Sequence, residues 1–134
     1  MNKLCLYLIR GVCGSGKSSF AKELADSDLV SRVIEADQFF IGLDGEYKFN
    51  PSKLSDAHAW CQSETRLNLS LGYSVAVSNT STTEKEVEVY RKIAEETGAK
   101  FISLVMENRH NGVNIHNVPA EKIQQMKSRF SVKL

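Results

Sequence analysis

The stretch that decides the fold is Leu4-Cys5-Leu6-Tyr7-Leu8-Ile9-Arg10, followed directly by Gly11-Val12-Cys13-Gly14-Ser15-Gly16-Lys17-Ser18. Residues 4–9 form a continuous apolar run, which is typical of a strand buried on both faces of a parallel sheet. The glycine-rich segment ends this run, and an amphipathic helix is expected to follow over residues 17–25. The succession of strand, glycine-rich loop and helix predicts an α/β protein.

The loop matches the pattern G-x-x-x-x-G-K-S, with Gly11, Gly16, Lys17 and Ser18 at the required positions. Glycines let the backbone curl so that its N–H groups point at phosphate oxygens, and the following helix adds its N-terminal donors. The Lys17 ammonium is expected on the β- and γ-phosphates, and the Ser18 hydroxyl on the Mg²⁺ that bridges them. A purely structural turn is the alternative, but the apolar strand before the loop is the context that phosphate binding requires. The loop predicts nucleoside triphosphate binding and leaves the reaction open.

The rest of the chain alternates apolar strands with amphipathic helices. Further strands are predicted at residues 32–35, 75–77 and 101–106, and further helices at 51–71, from Thr83 to Gly98, and after Pro119. This alternation predicts a three-layer α/β/α fold with a mostly parallel sheet of about four to five strands. No repeat or linker divides the sequence, so residues 1–134 are expected to form a single domain.

Two helices carry more detailed signals. Thr83 and Glu86 have the spacing of a capping box, and Gly98 lies where a helix-terminating glycine belongs. The helix at 51–71 is expected to bury one apolar stripe. Its members are Ala57, Trp60, Cys61, Leu67 and Leu71.

The composition describes an ordinary globular chain of 134 residues, 42% hydrophobic and 25% charged, with a net charge of +1. Such a balance provides no overall basic field, so any nucleic-acid binding must use a local patch. Cys5, Cys13 and Cys61 have the spacing of neither a zinc site nor a disulfide framework, which favours a reducing compartment. Because we find neither a membrane-length apolar run nor a targeting segment, we expect a cytoplasmic protein without membrane contact.

Polar residues after the second and third predicted strands are candidates for the chemistry. Carboxyl ends of parallel strands gather around the ligand crevice, so Asp37 is expected to face the γ-phosphate and accept the proton of an attacking hydroxyl. The alternative is a turn or helix-cap aspartate. Ser78-Asn79-Thr80 ends the third strand without a carboxylate, which argues against a motor-type ATPase and favours a small kinase. Asn79 either hydrogen-bonds the substrate or forms a turn.

Further segments stand in a fixed order along the chain: Gly14-Ser15-Gly16-Lys17-Ser18-Ser19, Asp37-Gln38-Phe39-Phe40, Asp44-Gly45-Glu46-Tyr47-Lys48-Phe49-Asn50-Pro51, Ala57-His58-Ala59-Trp60-Cys61-Gln62, Ser78-Asn79-Thr80-Ser81 and Val118-Pro119-Ala120-Glu121-Lys122-Ile123. In this order and spacing they resemble the small P-loop kinases related to bacteriophage polynucleotide 5′-hydroxyl kinase. The nearer match is a group of ATP-binding proteins that carry this kinase-like module in phages, bacteria and a eukaryotic ubiquitin-ligase-binding protein. The resemblance covers nearly the whole chain.

The resemblance implies transfer of the γ-phosphoryl of ATP to a hydroxyl, with Asp37 as the general base. It also implies that residues 107–118 form a short lid that carries an arginine onto the phosphates. Val113 occupies the usual arginine position, so Arg109 is the candidate if the lid is longer here. The nucleotide-binding residues implied are Gly14, Ser15, Gly16, Lys17, Ser18 and Ser19.

Phe40 and Asn79 occupy the positions that the resemblance assigns to the substrate. The phage kinase has an arginine that holds a substrate phosphate where Phe40 stands. It has an acid where Asn79 stands, whereas the nearer group has asparagine. These two departures bear on the acceptor and leave the ATP-binding residues unaffected.

Three hypotheses for the function follow. The first is an ATP-dependent kinase acting on the 5′-hydroxyl of RNA or DNA. The second is a small-molecule kinase that phosphorylates a nucleoside, nucleotide or sugar. The third is an ATP-binding regulatory module without transfer activity. Asp37 favours the first two, and Val113 at the arginine position keeps the third open.

Overall fold

The computed structural model describes residues 3–109 and 118–134. Within these residues, four parallel strands form one sheet with the order β2-β3-β1-β4. The strands are β1 (Cys5–Arg10), β2 (Arg32–Ile34), β3 (Val75–Ser78) and β4 (Lys100–Val105). Strand β1 pairs with β3 on one side and β4 on the other, so its continuous apolar run belongs to an inner strand, as predicted.

Helices cover both faces of this sheet. They are α1 (Lys17–Asp26), α2 (Leu54–Ser70), α3 (Glu84–Thr97) and α4 (Ala120–Arg129), with short 3-10 helices at Ala36–Phe40 and Pro51–Lys53. None of the helices in the described parts of the chain combines the length and apolar character needed to span a bilayer.

Alternate residues of the inner strands face different helices. Ile9 and Ala76 pack against Ala21 and Leu24 of α1. Residues on the opposite face of the sheet join the larger core cluster with α2 and α3; they are Leu6, Leu8, Val75 and Val77. This two-residue alternation is the pattern of strands between two helical layers, and it confirms the predicted three-layer fold.

The sequence signals of α3 are confirmed. The Thr83 hydroxyl accepts a hydrogen bond from the Glu86 backbone N–H at 3.4 Å, and the Glu86 carboxylate accepts one from the Thr83 N–H at 3.2 Å. Gly98 ends the helix with a φ of 76°, the left-handed conformation that glycine adopts without a steric penalty.

The predicted apolar stripe of α2 is partly wrong. Leu67 and Leu71 are 53% and 63% exposed, whereas Thr65 and Asn68 are buried beside Ala57, Cys61 and Leu69. Both polar side chains bond to carbonyl oxygens of their own helix: Thr65 Oγ1 to Cys61 at 2.7 Å, and Asn68 Nδ2 to Glu64 at 2.8 Å. Burial of these two side chains therefore costs little free energy. The buried face of α2 includes these polar residues, and the two leucines that the apolar pattern assigned to it are exposed.

Arg10, the last residue of β1, is a buried arginine with structural partners. It is 3% exposed, its Nε donates to the Ser81 carbonyl oxygen at 2.8 Å, and its Nη2 donates to that of Ser131 at 2.6 Å. Its guanidinium carbon lies 4.9 Å from the centroid of the Phe130 ring. Arg10 therefore fastens the segment after α4 to the centre of the sheet.

We expect Arg10→Met to destabilise the fold, because the change keeps side-chain bulk while leaving the two carbonyl groups without their donor. Charged hydrogen bonds of this kind predict a loss of about 2–4 kcal/mol in the free energy of unfolding. Urea unfolding followed by circular dichroism measures it. Arg32→Met is the control, because Arg32 is exposed and lies against the Tyr73 ring. Equal stability of the two variants would contradict the role of Arg10.

Candidate active site

The predicted site residues meet at one edge of the sheet because the parallel strands end at the same level. Ile9 of β1 is paired with Ser78 of β3 and Leu104 of β4, and Ile34 of β2 with Val77. The segments that leave these strands therefore emerge together. They begin with Gly11 after β1, Glu35 after β2, Asn79 after β3 and Met106 after β4.

The phosphate-binding loop connects β1 to α1. Gly14 and Gly16 have φ values of 83° and 92°, which an L-residue with a side chain adopts only at a steric cost. The Ser15 N–H donates to the Val12 carbonyl oxygen at 3.2 Å. These turns lead into the first turn of α1, where unpaired backbone N–H groups form an anion-binding end of the helix.

Gly11 is required by close packing. A Cβ atom added to it would lie 2.3 Å from Ser15 Oγ and 3.0 Å from the Met106 carbonyl oxygen. Ser15 is fully buried, and its hydroxyl has no hydrogen-bond partner among the described residues. The buried Ser15 side chain thus packs against Gly11 and leaves no space for a larger residue at position 11.

Lys17 extends back over the loop. Its Nζ donates to the Val12 carbonyl oxygen at 3.0 Å, which keeps the ammonium against the loop backbone. Burial lowers the pKa of Lys17, while interactions with Cys13, Glu35 and Asp37 act in the opposite direction. The carboxylates that follow β2 therefore lie close enough to the phosphate-loop lysine to influence its charge.

The remaining loop residues differ in their exposure to solvent. Ser18 and Ser19 are exposed in the first turn of α1, whereas Gly14 and Gly16 are half-buried. Cys13 is half-buried, and its sulfur lies 3.8 Å from the Met126 sulfur of α4. Burial raises the pKa of the Cys13 thiol. One side of the loop thus contacts α4, and the hydroxyl side chains of α1 face solvent.

Asp37 lies in the 3-10 helix Ala36–Phe40, directly after β2. Its Oδ1 accepts a hydrogen bond from the Tyr47 hydroxyl at 3.1 Å. Burial raises the pKa of Tyr47 to about 12, and the charge of Asp37 and this hydrogen bond act in the same direction. The carboxylate expected to act as the base is therefore held by a tyrosine from the loop that follows.

Asn79 is buried, and both ends of its amide contact the protein. Its Oδ1 accepts from the Ala36 N–H at 2.9 Å, and its Nδ2 donates to the Cys61 sulfur at 3.4 Å. The residue after Ala36 is Asp37, so Asn79 fixes the start of the segment that carries the carboxylate. Its predicted contact with substrate stays a prediction.

Phe40 is 6% exposed and packs with Ala36 and Ala57. The centroid of its ring lies 5.1 Å from that of Phe49 and 6.3 Å from that of Tyr47, in edge-on contacts. Such contacts favour a role in pinning the loop to α2. The prediction that Phe40 contacts substrate is not tested by them.

Arg109 follows β4 at the same edge of the sheet. Its side chain is 84% exposed, and its Nε lies 2.8 Å from the Glu107 carboxylate. Most of the predicted lid, including Val113 at the position of the family arginine, lies outside the described residues. The contact between Arg109 and phosphates stays a prediction.

The sequence analysis did not predict the hydrogen bond that Tyr47 donates to Asp37. The signal was present in the turn at Asp44-Gly45, where the Gly45 N–H donates to Gly42 at 2.9 Å and the Glu46 N–H donates to Asp44 Oδ1 at 3.0 Å. A turn at this point returns the chain toward Asp37. The roles of Glu35 near Lys17 and of Arg10 as an anchor have no comparable sequence signal.

A parallel sheet between two helical layers, with the phosphate loop entering the first helix, is the architecture that P-loop kinases share with other P-loop proteins. A model of the AAA domain family matches residues 6–132. The chain belongs to this AAA domain family, and its resemblance to small P-loop kinases is confirmed.

Comparison with individual proteins gives the same fold. The chain is 28% identical over 139 residues to NEDD4-binding protein 2 of Homo sapiens, in an alignment covering 95% of this chain and 8% of that protein. The chain therefore spans only a small part of that relative. A putative kinase from Chloroflexus aurantiacus has a TM-score of 0.70 at 14% identity, covering 97% of this chain and 78% of that chain. The Mycobacterium tuberculosis APS kinase CysC in complex with AMPPNP and APS has a TM-score of 0.60 at 19% identity, covering 93% and 69%.

Proposed function

We propose that this chain is an ATP-dependent kinase that transfers the γ-phosphoryl of ATP to a hydroxyl group. The observation that carries the proposal is that the segments bearing Lys17 and Asp37 leave β1 and β2 at the same edge of the sheet, where the charge of Asp37 acts to raise the pKa of Lys17. A phosphate-binding ammonium and a carboxylate able to accept the proton of an acceptor are the two groups that phosphoryl transfer to a hydroxyl needs nearby. The nucleotide-bound APS kinase with the same fold supports ATP as the donor.

In this proposal the loop from Gly14 to Ser19 binds the phosphates through its backbone N–H groups, and Lys17 balances their charge. Asp37 accepts the proton of the attacking hydroxyl. Ala36, held by Asn79, and Tyr47 keep the carboxylate in place. The roles are thus divided between the donor side, formed by the loop, and the acceptor side, formed by the segment after β2.

The donor set beside the loop fits a Mg²⁺ ion that arrives with the nucleotide. In residues 3–109 and 118–134, no three His, Cys, Asp or Glu side chains form an all-protein metal site. Mg²⁺ usually takes few protein ligands and keeps phosphate and water oxygens. The exposed Ser18 hydroxyl in the first turn of α1 would supply the protein ligand. When bound, the ion supplies positive charge on the phosphate oxygens.

The acceptor we propose is the 5′-hydroxyl of a polynucleotide, following the resemblance in sequence. Phe49 lies beside Phe40 and is 50% exposed, so its ring is available to a base on the acceptor side.

Phe40 favours the second candidate, a small-molecule kinase. It is buried in an aromatic cluster at the position where the phage kinase holds a substrate phosphate with arginine.

The test is incubation of the protein and labelled ATP with a panel of acceptors: 5′-hydroxyl RNA and DNA oligonucleotides, nucleosides, nucleotides and sugars. We expect label on the oligonucleotides. Label on a small molecule alone would replace the polynucleotide with the second candidate. Binding of ATP without labelling of any acceptor would favour the regulatory module and overturn the kinase.

We expect Arg109→Ala to slow turnover by at least about tenfold, if its guanidinium offsets charge that develops on the transferred phosphoryl. Stability should change little, since the pair with Glu107 is exposed and such pairs contribute little. Steady-state turnover and thermal unfolding measure the two effects. Arg66→Ala is the matched control, because Arg66 is an exposed arginine of α2 paired with Glu96. Wild-type turnover in Arg109→Ala would remove Arg109 from the site.

A further inference from the structure

The Tyr47 hydroxyl contacts Asp37 from the loop after the 3-10 helix, and backbone hydrogen bonds connect this loop to the segment that carries the carboxylate. Tyr47 forms an isolated antiparallel bridge with Ile41, and the Lys48 N–H donates to the Phe40 carbonyl oxygen at 2.9 Å. The Gly42 N–H donates to Glu46 at 2.9 Å and closes the turn between them. These backbone contacts fix Tyr47 relative to residues 36–41.

The tyrosine ring is fixed as well. It lies edge-on to Phe40 with 6.3 Å between centroids, and Phe40 is itself buried against Ala36 and Ala57. A ring held at its backbone and on one face has few positions open to its hydroxyl. The 3.1 Å bond to Asp37 Oδ1 is therefore a contact that the surrounding structure imposes.

The chemistry of the pair suits a phenol that donates to a carboxylate. A phenol keeps its proton at neutral pH and so remains a donor, and the pKa of Tyr47 is raised further, to about 12, by burial and by the charge of Asp37. An ionised carboxylate has two oxygens and about four acceptor positions, so one bond to Oδ1 orients the group without exhausting it. The half-buried Asp37 carboxylate gains a defined orientation from this hydrogen bond.

We propose that Tyr47 is a positioning residue for the base: its hydroxyl holds the Asp37 carboxylate in the orientation that accepts the acceptor's proton. The inference rests on the proposed function of Asp37. It predicts that the hydroxyl of Tyr47 affects the transfer step and leaves ATP binding alone, because Tyr47 contacts the carboxylate and is not part of the phosphate loop. It also separates this role from base stacking, which needs only the ring.

The first measurement needs no acceptor. Titration of tyrosine labelled with ¹³C at Cζ follows the phenols by NMR in the wild type and in Asp37→Asn. Loss of the negative charge favours ionisation of a neighbouring phenol, so the pKa of Tyr47 should fall from about 12. An unchanged Tyr47 titration would show that the two groups do not interact in solution and would overturn the inference.

The second measurement compares Tyr47→Phe with Tyr47→Leu, using the acceptor that the panel identifies. Tyr47→Phe keeps the ring, and we expect kcat to fall about tenfold with the KM for ATP unchanged. In the Asp37→Asn background the same change should have no further effect on kcat, since the group it orients is gone. Wild-type kcat in Tyr47→Phe, with acceptor binding lost only in Tyr47→Leu, would assign Tyr47 to stacking and overturn the inference.

Tyr73→Phe is the matched control. Tyr73 is 40% exposed, close to the 37% of Tyr47, but it precedes β3 and so lies at the opposite edge of the sheet. Its kcat should equal that of the wild type. The proposals for Asp37 and for Tyr47 are contradicted by different results. Transfer at the wild-type rate in Asp37→Asn would show that Asp37 is not the base. Loss of transfer in Asp37→Asn together with full activity in Tyr47→Phe would contradict only the positioning role of Tyr47.

Discussion

Lys17→Ala should lose ATP binding by at least about 100-fold and all measurable transfer, because the variant removes the side-chain ammonium from a loop that otherwise offers backbone N–H groups. The Lys17 Nζ donates to the Val12 carbonyl oxygen and is partly buried. Water that enters the space left by the variant carries no charge and cannot restore the attraction to the phosphates. Calorimetric titration with ATP measures the affinity. Thermal unfolding should change little, because Lys17 is not a member of any of the apolar core clusters of the described residues.

Lys22→Ala is the control for this change, since Lys22 is an exposed lysine of the same helix. It should bind ATP like the wild type. Affinity should also depend on pH in a defined direction. Because burial lowers the pKa of Lys17, the ammonium loses its proton at a lower pH than an ordinary lysine does, and ATP binding should weaken from that point upward. Full ATP affinity in Lys17→Ala would contradict the phosphate-loop assignment.

Asp37→Asn should leave ATP affinity intact and reduce transfer by about 10²–10⁴-fold, the usual contribution of a general base. The amide cannot accept the proton, but its oxygen still accepts a hydrogen bond from Tyr47, so the loop should keep its shape. Single-turnover transfer of labelled phosphate separates this chemical step from binding. Because the loop residues are unchanged, the KM for ATP should stay near the wild-type value.

Asp28→Asn provides the matched control, because Asp28 is exposed and has a φ of 61°, a conformation that asparagine tolerates equally well. It should transfer phosphate at the wild-type rate. If Asp37→Asn transfers phosphate as fast as this control, Asp37 is not the base, and the carboxylate of Glu35, which also acts on Lys17, becomes the residue to replace.

The conformation of the phosphate loop was predictable from sequence, whereas the contacts that hold the Asp37 segment were not. The loop from Gly11 to Ser18 is a local motif, so its conformation depends on neighbours in the chain and on the glycines at 14 and 16. The capping box of Thr83 and Glu86 is local in the same sense, and it is confirmed.

The features that escaped prediction depend on contacts between distant parts of the chain. Asn79 fixes the start of the Asp37 segment through Ala36, and Arg10 bonds to Ser131; neither pairing has a spacing rule. Leu67 and Leu71 were wrongly placed in the core because hydrophobicity alone does not reveal that Asn68 satisfies its own amide within the helix. The local sequence pattern therefore predicts the helices, the strands and the phosphate loop. The contacts around Asp37 depend on tertiary packing, which the local pattern does not reveal.

Arg10 has a consequence for how the length of the chain between Met106 and Ser131 can vary. Its carbonyl oxygen accepts a hydrogen bond from the Met106 N–H at 2.7 Å, and its side chain donates to the Ser131 carbonyl oxygen. Both ends of the chain between Met106 and Ser131 are therefore bonded to the same arginine. The entropy cost of closing such a loop grows only logarithmically with length, by about 0.6 kcal/mol per doubling. Residues inserted between the two anchors should therefore cost little stability, because the anchoring hydrogen bonds to Arg10 lie outside the inserted stretch.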